Sequence, residues 1–401
     1  MGILDIPDKS RDFTLSITQE NYHRRNVVNI RNLTQLDSYC EFPHNIIISG
    51  ISTPQSFNRV SVRSELTLKT VRSIAPIYSV VFFSGNVLNC QSLYNSYYNL
   101  TNVKSFCKSR NLGNMEPFSG LNANQISEIL VELGRSYFSF TPSTELYAEL
   151  FVRVLSMKDT NITLDALYNL SVDEVLNILV ENSDENQQKQ EEDIDKLSNE
   201  EDYSAFHAMI YFLAVTLLPN RQQNVELLSD LLADRIPIIV NLDSVSSRDN
   251  DILFFTVSRC VEFMTVNRND VYFCYDSIQP RYYEILKNNL LSYSQNVYWL
   301  VSTESFPKVL LFDDSLINTV WSGKIQTILF RHDGKSAKYW SDLFGDYNKI
   351  SGVINEKGIS QVALAPEKRI PEDYISNLVD EQSIVKTPTS DTIFIVGDSL
   401  A

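Results

Sequence analysis

The chain has 401 residues, of which 43% are apolar and 11% aromatic, and its net charge is −16. This composition is typical of a folded globular protein with a large core and excludes a disordered chain. The acidic balance argues against an extended nucleic-acid surface, because neutralising phosphates requires clustered lysine and arginine.

The five cysteines and four histidines limit the metal and redox chemistry of the chain. No two cysteines have the C-x-x-C spacing and the histidines are far apart, so no zinc cluster is predicted. This cysteine usage suits a reducing cytoplasm. Residues 1–7 include Asp5 and no long apolar run, and no stretch approaches the roughly 18 apolar residues of a membrane span. Neither a signal peptide nor membrane insertion is therefore predicted.

Residues 43–71 have the layout of a P-loop. An apolar strand over 44–50 leads through a turn into a helix that reaches about residue 73, and helix N-termini after such turns hold phosphate. In the motif G-x-x-x-x-G-K-[ST] begun at Gly50, Gln55 replaces the second glycine, Ser56 the lysine and Phe57 the magnesium-binding hydroxyl residue. These residues alone favour a strand–helix turn without a ligand. In the polar segment before it, residues 15–17 and 27–30 are predicted edge strands.

A second apolar run, at 76–85, predicts a strand that pairs in parallel with the first. The pattern then becomes helical, with predicted helices at 124–133, 144–157, 163–170, 172–181 and 203–218. Ser143 or Thr144, Thr163 and Ser171 are the predicted N-caps. We expect a helical subdomain inserted into an α/β domain.

An acidic run occupies residues 181–203. It contains ten acidic residues against Lys189 and Lys196, a net charge of −8. The plain interpretation is a solvated, mobile loop. The alternative is a docking segment for a basic partner.

Strand patterns return after residue 235. The predicted strands are 237–243, 270–276, 297–302, 324–330 and 392–397, and the predicted helices are 251–265, 282–293 and 335–344. This alternation predicts an α/β fold with a doubly wound, mainly parallel sheet. The predicted domains are 1–90, the first part of the sheet domain with a degenerate P-loop; 91–234, the helical insertion with its acidic loop at 181–203; and 235–401, the second part of the sheet domain.

Candidate site residues follow the strands, because open α/β sheets bind ligands at the carboxyl ends of their strands. Asp276 and Ser277 end the strand at 270–276, where P-loop ATPases carry an Asp for Mg²⁺ and a Glu for the attacking water. Ser277 occupies the Glu position. After the strand at 297–302, Glu304 stands where a γ-phosphate sensor is expected, and its carboxylate would repel phosphate. No catalytic residue, metal ligand or cofactor is therefore predicted.

The order of these segments resembles the cytoplasmic motor domain of conjugative type IV coupling proteins, which belong to the FtsK–HerA superfamily of RecA-like hexameric ATPases. The resemblance covers about residues 40–400. Its most telling part is the strand at 324–330, followed by Arg331 and a helix of the form S-A-x-x-x-S-x-x-x-G at 336–345. The segments 231–244, 303–305 and 367–375 with Leu378 also resemble the family.

The resemblance implies a RecA-like ATPase domain with an inserted all-α domain, N-terminal membrane anchoring, a hexamer, and DNA or protein substrates delivered to a secretion channel. The chain departs from the family in its replaced nucleotide-handling positions and in having no predicted membrane segment. It is therefore predicted to be a pseudo-ATPase that acts as an adaptor or structural subunit of a bacterial conjugation or type IV secretion system. Its partners would be protein components of that system, such as an active ATPase paralogue, and it could reach the membrane through them.

Two alternatives stay open at this point. In the first, the chain is an active ATPase or DNA-translocating motor that uses ATP and Mg²⁺, and Arg59, Arg63 or Lys69 replaces the missing lysine, since arginine can bind phosphate bidentately. In the second, the chain is a DNA-binding module of the same fold, against which the acidic balance argues.

Overall fold

The chain forms two compact units. One consists of Met1–Phe57, Ser61–Arg63 and Glu304–Ala401, and the other of Asn58–Val60 and Ser64–Thr303. Both predicted domain boundaries, after residues 90 and 234, fall inside the second unit, so the division into three domains stays a prediction. The computed structural model describes residues 27–30, 44–52, 61–98, 104–106, 114–182, 187–218, 225–242, 247–265, 270–292, 297–313, 325–355, 358–379, 382–388 and 392–397.

Helices and strands alternate along much of the described chain. The strands are β1 (Val27–Ile30), β2 (Asn45–Ser49), β3 (Ser79–Ser84), β4 (Lys104–Phe106), β5 (Asn114–Glu116), β6 (Val225–Leu227), β7 (Ile238–Asn241), β8 (Val271–Asp276), β9 (Val297–Thr303), β10 (Ile325–Leu329), β11 (Asp346–Asn355), β12 (Gly358–Lys368), β13 (Ser383–Lys386) and β14 (Ile393–Val396). The helices are α1 (Val62–Ile74), α2 (Val87–Tyr98), α3 (Ala123–Tyr137), α4 (Pro142–Lys158), α5 (Leu164–Asn169), α6 (Val172–Asn182), α7 (Gln187–Leu197), α8 (Glu200–Leu217), α9 (Leu228–Ala233), α10 (Ser247–Thr265), α11 (Tyr283–Ser292), α12 (Phe306–Val309), α13 (Gly334–Phe344) and α14 (Glu372–Ser376).

The first unit contains a mixed sheet with the strand order β1-β14-β13-β10-β2. β2 pairs in parallel with β10, β1 pairs in parallel with β14, and β13 is antiparallel to both of its neighbours. Ile46, Ile47 and Ile48 of β2 are buried, as a continuous apolar run predicts. The predicted edge strand at 27–30 is confirmed, and the one at 15–17 lies outside the described residues.

Several parts of the first unit were missed by the sequence analysis, the short helix α12 among them. β13 was not predicted, and neither was the long antiparallel hairpin of β11 and β12, which runs from Asp346 opposite Lys368 to Asn355 opposite Gly358. Residues 346–355 mix polar and small side chains with few apolar ones. Such a stretch lacks the strict alternation that marks a half-buried strand.

The second unit contains a parallel sheet with the strand order β9-β8-β3-β7-β4. β3 lies between β7 and β8, and its pairing with β8 runs from Ser79 opposite Val271 to Ser84 opposite Asp276. The predicted pairing of the strand at 76–85 with the strand at 44–50 is therefore wrong, because both edges of β3 are occupied. The predicted fold class, an α/β protein with a mainly parallel sheet and an inserted helical segment, is confirmed.

The helical segment lies between β4 and β7 and contains α3 to α9. Thr163 caps α5, as predicted, and Asn122, which was not predicted as a cap, caps α3. Ser171 and Glu174 exchange hydrogen bonds at the start of α6, which supports the predicted cap at Ser171. The cap of α4 is Thr141 rather than Ser143 or Thr144, because Pro142 fits the first helical position.

The acidic run at 181–203 is not a loop where the structure describes it. It continues α6, forms α7 and begins α8, and residues 183–186 lie outside the described residues. Asp193 is buried and pairs with Arg153 of α4 and with Lys196. Asp202 is buried and accepts hydrogen bonds of 2.6 Å from the hydroxyls of Ser143 and Thr144. These partners offset the cost of burying the charges and hold the acidic helices in place.

No described helix combines the length and the apolar character that crossing a bilayer requires.

Candidate functional site

The structure places the predicted site residues in both units. Gly50 and Glu304 belong to the first unit, and Asp276 and Ser277 belong to the second. Gln55, Ser56 and Phe57 lie outside the described residues, so their predicted role in a degenerate phosphate loop stays a prediction. The described residues are considered below in each unit separately.

Gly50 follows β2 at a position where the backbone requires glycine. Its φ is +133°, and a Cβ added there would lie 2.7 Å from the Cβ of Phe330. The amide of Ile51 donates a hydrogen bond of 2.8 Å to the carbonyl oxygen of Arg331, which holds the two segments together. Close backbone packing therefore explains Gly50 without any ligand.

Arg63, one of the residues that could replace the missing lysine, is engaged inside the protein. Its Nη1 donates a hydrogen bond of 2.9 Å to the carbonyl oxygen of Gly50, and the residue is 7% exposed. Its backbone amide donates to the Ser52 hydroxyl at 3.2 Å. The second described candidate, Lys69, pairs with Glu65 at 3.0 Å on the surface of α1. Arg59 lies outside the described residues.

His332 is a buried residue of the first unit that the sequence analysis did not single out. Its pKa is lowered to about 3, chiefly by burial and also by the charges of Arg63 and Lys308, while a hydrogen bond with the Ser49 backbone opposes the shift. The imidazole is therefore neutral at pH 7 and adds no positive charge for a phosphate. Arg331 precedes it in the stretch that resembles coupling proteins, but nothing in the sequence indicates that His332 is buried.

The segment after β9 presents a carboxylate to solvent. Glu304 is exposed, while the neighbouring Ser305 is buried and shares a hydrogen bond of 2.7 Å with the hydroxyl of Ser336. The amide of Phe306 donates to the Ser49 hydroxyl at 2.9 Å. The hydroxyl groups here bind one another and the backbone, and the Glu304 carboxylate is left in solvent.

Asp276, at the end of β8, is fully buried and held by neutral donors. Its Oδ2 accepts hydrogen bonds of 2.7 Å from the Ser84 hydroxyl and 2.7 Å from Nδ2 of Asn89. Nδ2 of Asn89 also donates to the Ser64 hydroxyl at 3.1 Å. A magnesium ligand must present an oxygen to the ion and its waters, and this carboxylate faces protein donors instead.

Ser277 turns the chain sharply after Asp276. Its φ is +51°, its amide donates to the carbonyl oxygen of Ser302 at 2.9 Å, and its hydroxyl donates to Oδ1 of Asp276 at 3.3 Å. Its own carbonyl oxygen would lie 2.4 Å from a Cβ added at Gly85. Ser277 therefore closes the polar cluster around Asp276, and Gly85 is required by this close approach.

A groove in the second unit lies apart from the predicted site residues. This groove of about 620 Å³ lies between α3, α4 and α7, and its lining includes Leu146, Glu149 and Arg153. None of the predicted site residues lines it. In the described part of the chain, no group of three or more His, Cys, Asp and Glu side chains is arranged to hold a metal ion.

The chain was compared with known proteins at three levels. No protein-family model matches the sequence, and no curated protein matches it. Among solved structures, the chain is similar to the unbound monoclinic form of the bacterial conjugative coupling protein TrwBdeltaN70, with 12% sequence identity, 92% of each chain covered and a TM-score of 0.46. It is also similar to the plasmid coupling protein TrwB in complex with ADP and Mg²⁺, with 11% identity, 92% of each chain covered and a TM-score of 0.42.

Proposed function

We propose that the chain is a catalytically inactive relative of the coupling-protein ATPases that acts as an adaptor or structural subunit in a bacterial conjugation or type IV secretion system. The observation that carries the proposal is the environment of Asp276. This residue is 0% exposed, and its carboxylate accepts hydrogen bonds from Ser84, Asn89 and Ser277. The group that would hold Mg²⁺ in an active relative serves here as an acceptor for buried donors.

The described residues that could bind phosphate also support the proposal of an inactive relative. Arg63 donates to the Gly50 carbonyl, Lys69 pairs with Glu65, and His332 is neutral because it is buried. A triphosphate needs several positive or N–H groups directed at it. Each of these described groups already has a role within the protein, which supports a fold kept without nucleotide chemistry.

The proposed partners are proteins. A net charge of −16 disfavours nucleic acid as a ligand, whereas it suits a protein with a basic surface. The thiols of Cys90, Cys260 and Cys274 are buried and outside any disulfide, and cysteines used in this way suit the cytoplasm. We propose that the chain binds components of the secretion complex there, an active ATPase paralogue among them, and reaches the membrane through them.

Isothermal titration of the full chain with Mg-ATP tests the proposal. We expect no binding heat and no ATP turnover. Asp276→Asn is the matched variant, because it removes the candidate metal-binding charge and keeps a side chain of nearly the same shape. The wild type and the variant should give the same flat titration.

The alternative of an active ATPase with a non-standard phosphate site makes the opposite prediction. It requires micromolar affinity and turnover in the wild type, lost in Asp276→Asn, and loss of binding in Arg59→Ala. That outcome would overturn the proposed function.

A further inference from the structure

Helices α5 to α8 carry most of the charge of the chain. Residues 159–218 contain fourteen acidic residues and two lysines, which gives −12 of the total net charge of −16. Asp193 and Asp202 are buried and serve the fold, but most of the others are exposed. This region therefore presents a strongly negative surface to any partner.

An aromatic surface lies on α8 within this region. Tyr203, His207, Tyr211 and Val215 follow one another at intervals of four residues, so they share one face of the helix. Tyr211 is 52% exposed and Val215 is 44% exposed, although the opposite face of α8 is buried through residues such as Phe206 and Ile210. Tyr203 and His207 are half-buried, so the row presents large side chains to solvent along its length, as binding surfaces do.

Ring contacts order this surface. The His207 ring lies 5.3 Å from the Tyr203 ring and 5.8 Å from the ring of Tyr168, which comes from α5. Tyr168 also lies 6.0 Å from Tyr211. We call Tyr168, Tyr203, His207, Tyr211 and Val215 the tyrosine stripe. Its rings are held in place before any partner arrives, which lowers the entropy cost of binding.

We propose that the tyrosine stripe is the docking surface for a protein segment rich in arginine and lysine. Tyrosine faces attract such cations, tyrosine is enriched where interfaces gain most of their binding energy, and a negative rim speeds and orients the encounter. Exposed carboxylates stand one helical turn before the stripe in both helices: Glu200 precedes Tyr203, and Asp165 precedes Tyr168. The proposal rests on the proposed adaptor function, for which it names the chemistry of the partner.

Fluorescence anisotropy with the full chain tests the docking surface. The probe is a fluorescent peptide of alternating arginine and alanine, and the reference is the same peptide with glutamate in place of arginine. We expect the arginine peptide to bind and the glutamate peptide not to bind. The affinity of the arginine peptide should fall about three- to fivefold in Tyr211→Ala, as expected for one exposed cation–π contact, and should be retained in Tyr211→Phe.

Val180→Ala is the matched control, because Val180 is exposed on α6 but is not part of the stripe. This control should bind as the wild type does. Equal affinity of Tyr211→Ala and the wild type would overturn the proposal, and so would tighter binding of a short DNA duplex than of the arginine peptide. These outcomes are independent of the ATP titration, so a failure of the docking surface can be told from a failure of the proposed function.

Discussion

Asn89 of α2 and Asp276 of β8 are joined by a hydrogen bond of 2.7 Å between two fully buried side chains. The same amide donates to Ser64 at the start of α1, so one residue ties two helices to the end of a central strand. A buried carboxylate is stable only when donors satisfy it. The relationship therefore satisfies the buried Asp276 carboxylate with donors from within the protein.

Removing the donor should therefore destabilise the fold. We expect Asn89→Ala to lower the free energy of unfolding by about 1–3 kcal/mol, because it leaves a buried charge with one donor fewer. Urea denaturation measures the change. If the interaction is direct, Asn89→Ala should lower the free energy of unfolding less in an Asp276→Ala background than in the wild type. If the effects of the two substitutions on the free energy of unfolding simply added, the direct interaction would be contradicted.

Gly85 should tolerate no side chain. A Cβ there would meet the Ser277 carbonyl oxygen at 2.4 Å, and this contact is with backbone, which cannot rotate away. We expect Gly85→Ala to lower the free energy of unfolding by about 1–3 kcal/mol. Gly334→Ala is the comparison, because nothing lies within 4 Å of the added Cβ and only the strain of its φ of +46° remains. If thermal unfolding showed Gly85→Ala to be the milder change, the close approach would be wrong.

The strands of the sheets could be predicted because buried parallel strands are continuous apolar runs. β3, β7 and β8 fall within the predicted segments, and β9 extends one residue beyond its segment. Buried residues such as Phe82, Phe83 and Phe273 make these runs apolar, because both faces of the sheet are covered. Their neighbours in the sheet could not be predicted. A local pattern does not specify which strand lies beside which, and the pairing of β3 was wrong for that reason.

The acidic helices and the polar cluster around Asp276 could not be predicted for a related reason, because they depend on residues far away in the sequence. Asp193 depends on Arg153, which lies forty residues earlier. Asp276 depends on Ser84 and Asn89, which lie 192 and 187 residues away. The sequence could place Asp276 at a strand end and identify it as a candidate metal ligand. It could not show that donors from another strand and a helix occupy its oxygens.

Arg153 should be important for the acidic helix α7. Arg153→Met leaves the buried Asp193 with only the longer contact to Lys196, of 3.6 Å, among its described ion pairs. We expect a loss of about 1–3 kcal/mol in the free energy of unfolding and faster amide hydrogen exchange in α7. Arg135→Met is the control. It removes a salt bridge of 2.7 Å to Glu145 in which the arginine is exposed, and should cost at most about 1 kcal/mol. Equal losses in the two variants would mean that the burial of Asp193 does not matter.

Glu116 should make stability depend on pH. The residue is buried, and its Oε1 accepts backbone hydrogen bonds from Leu164 at 2.9 Å and Phe118 at 3.1 Å. Burial raises its pKa to about 7, although these hydrogen bonds oppose the shift. The unfolded chain loses this proton near pH 4.5, whereas the folded chain keeps it until about pH 7. Raising the pH through that window therefore destabilises the fold through this group, and the effect levels off above pH 7.

The variant Glu116→Gln isolates this contribution, because it keeps an acceptor for both amides and cannot ionise. Its free energy of unfolding, relative to the wild type, should rise between pH 4.5 and 7 by about 3 kcal/mol, which is the free-energy equivalent of the pKa shift. Urea denaturation at a series of pH values gives the difference, and other titrating groups cancel because both proteins share them. A constant difference across this range would show that Glu116 is ionised in the folded protein throughout, and that the two backbone amides outweigh its burial.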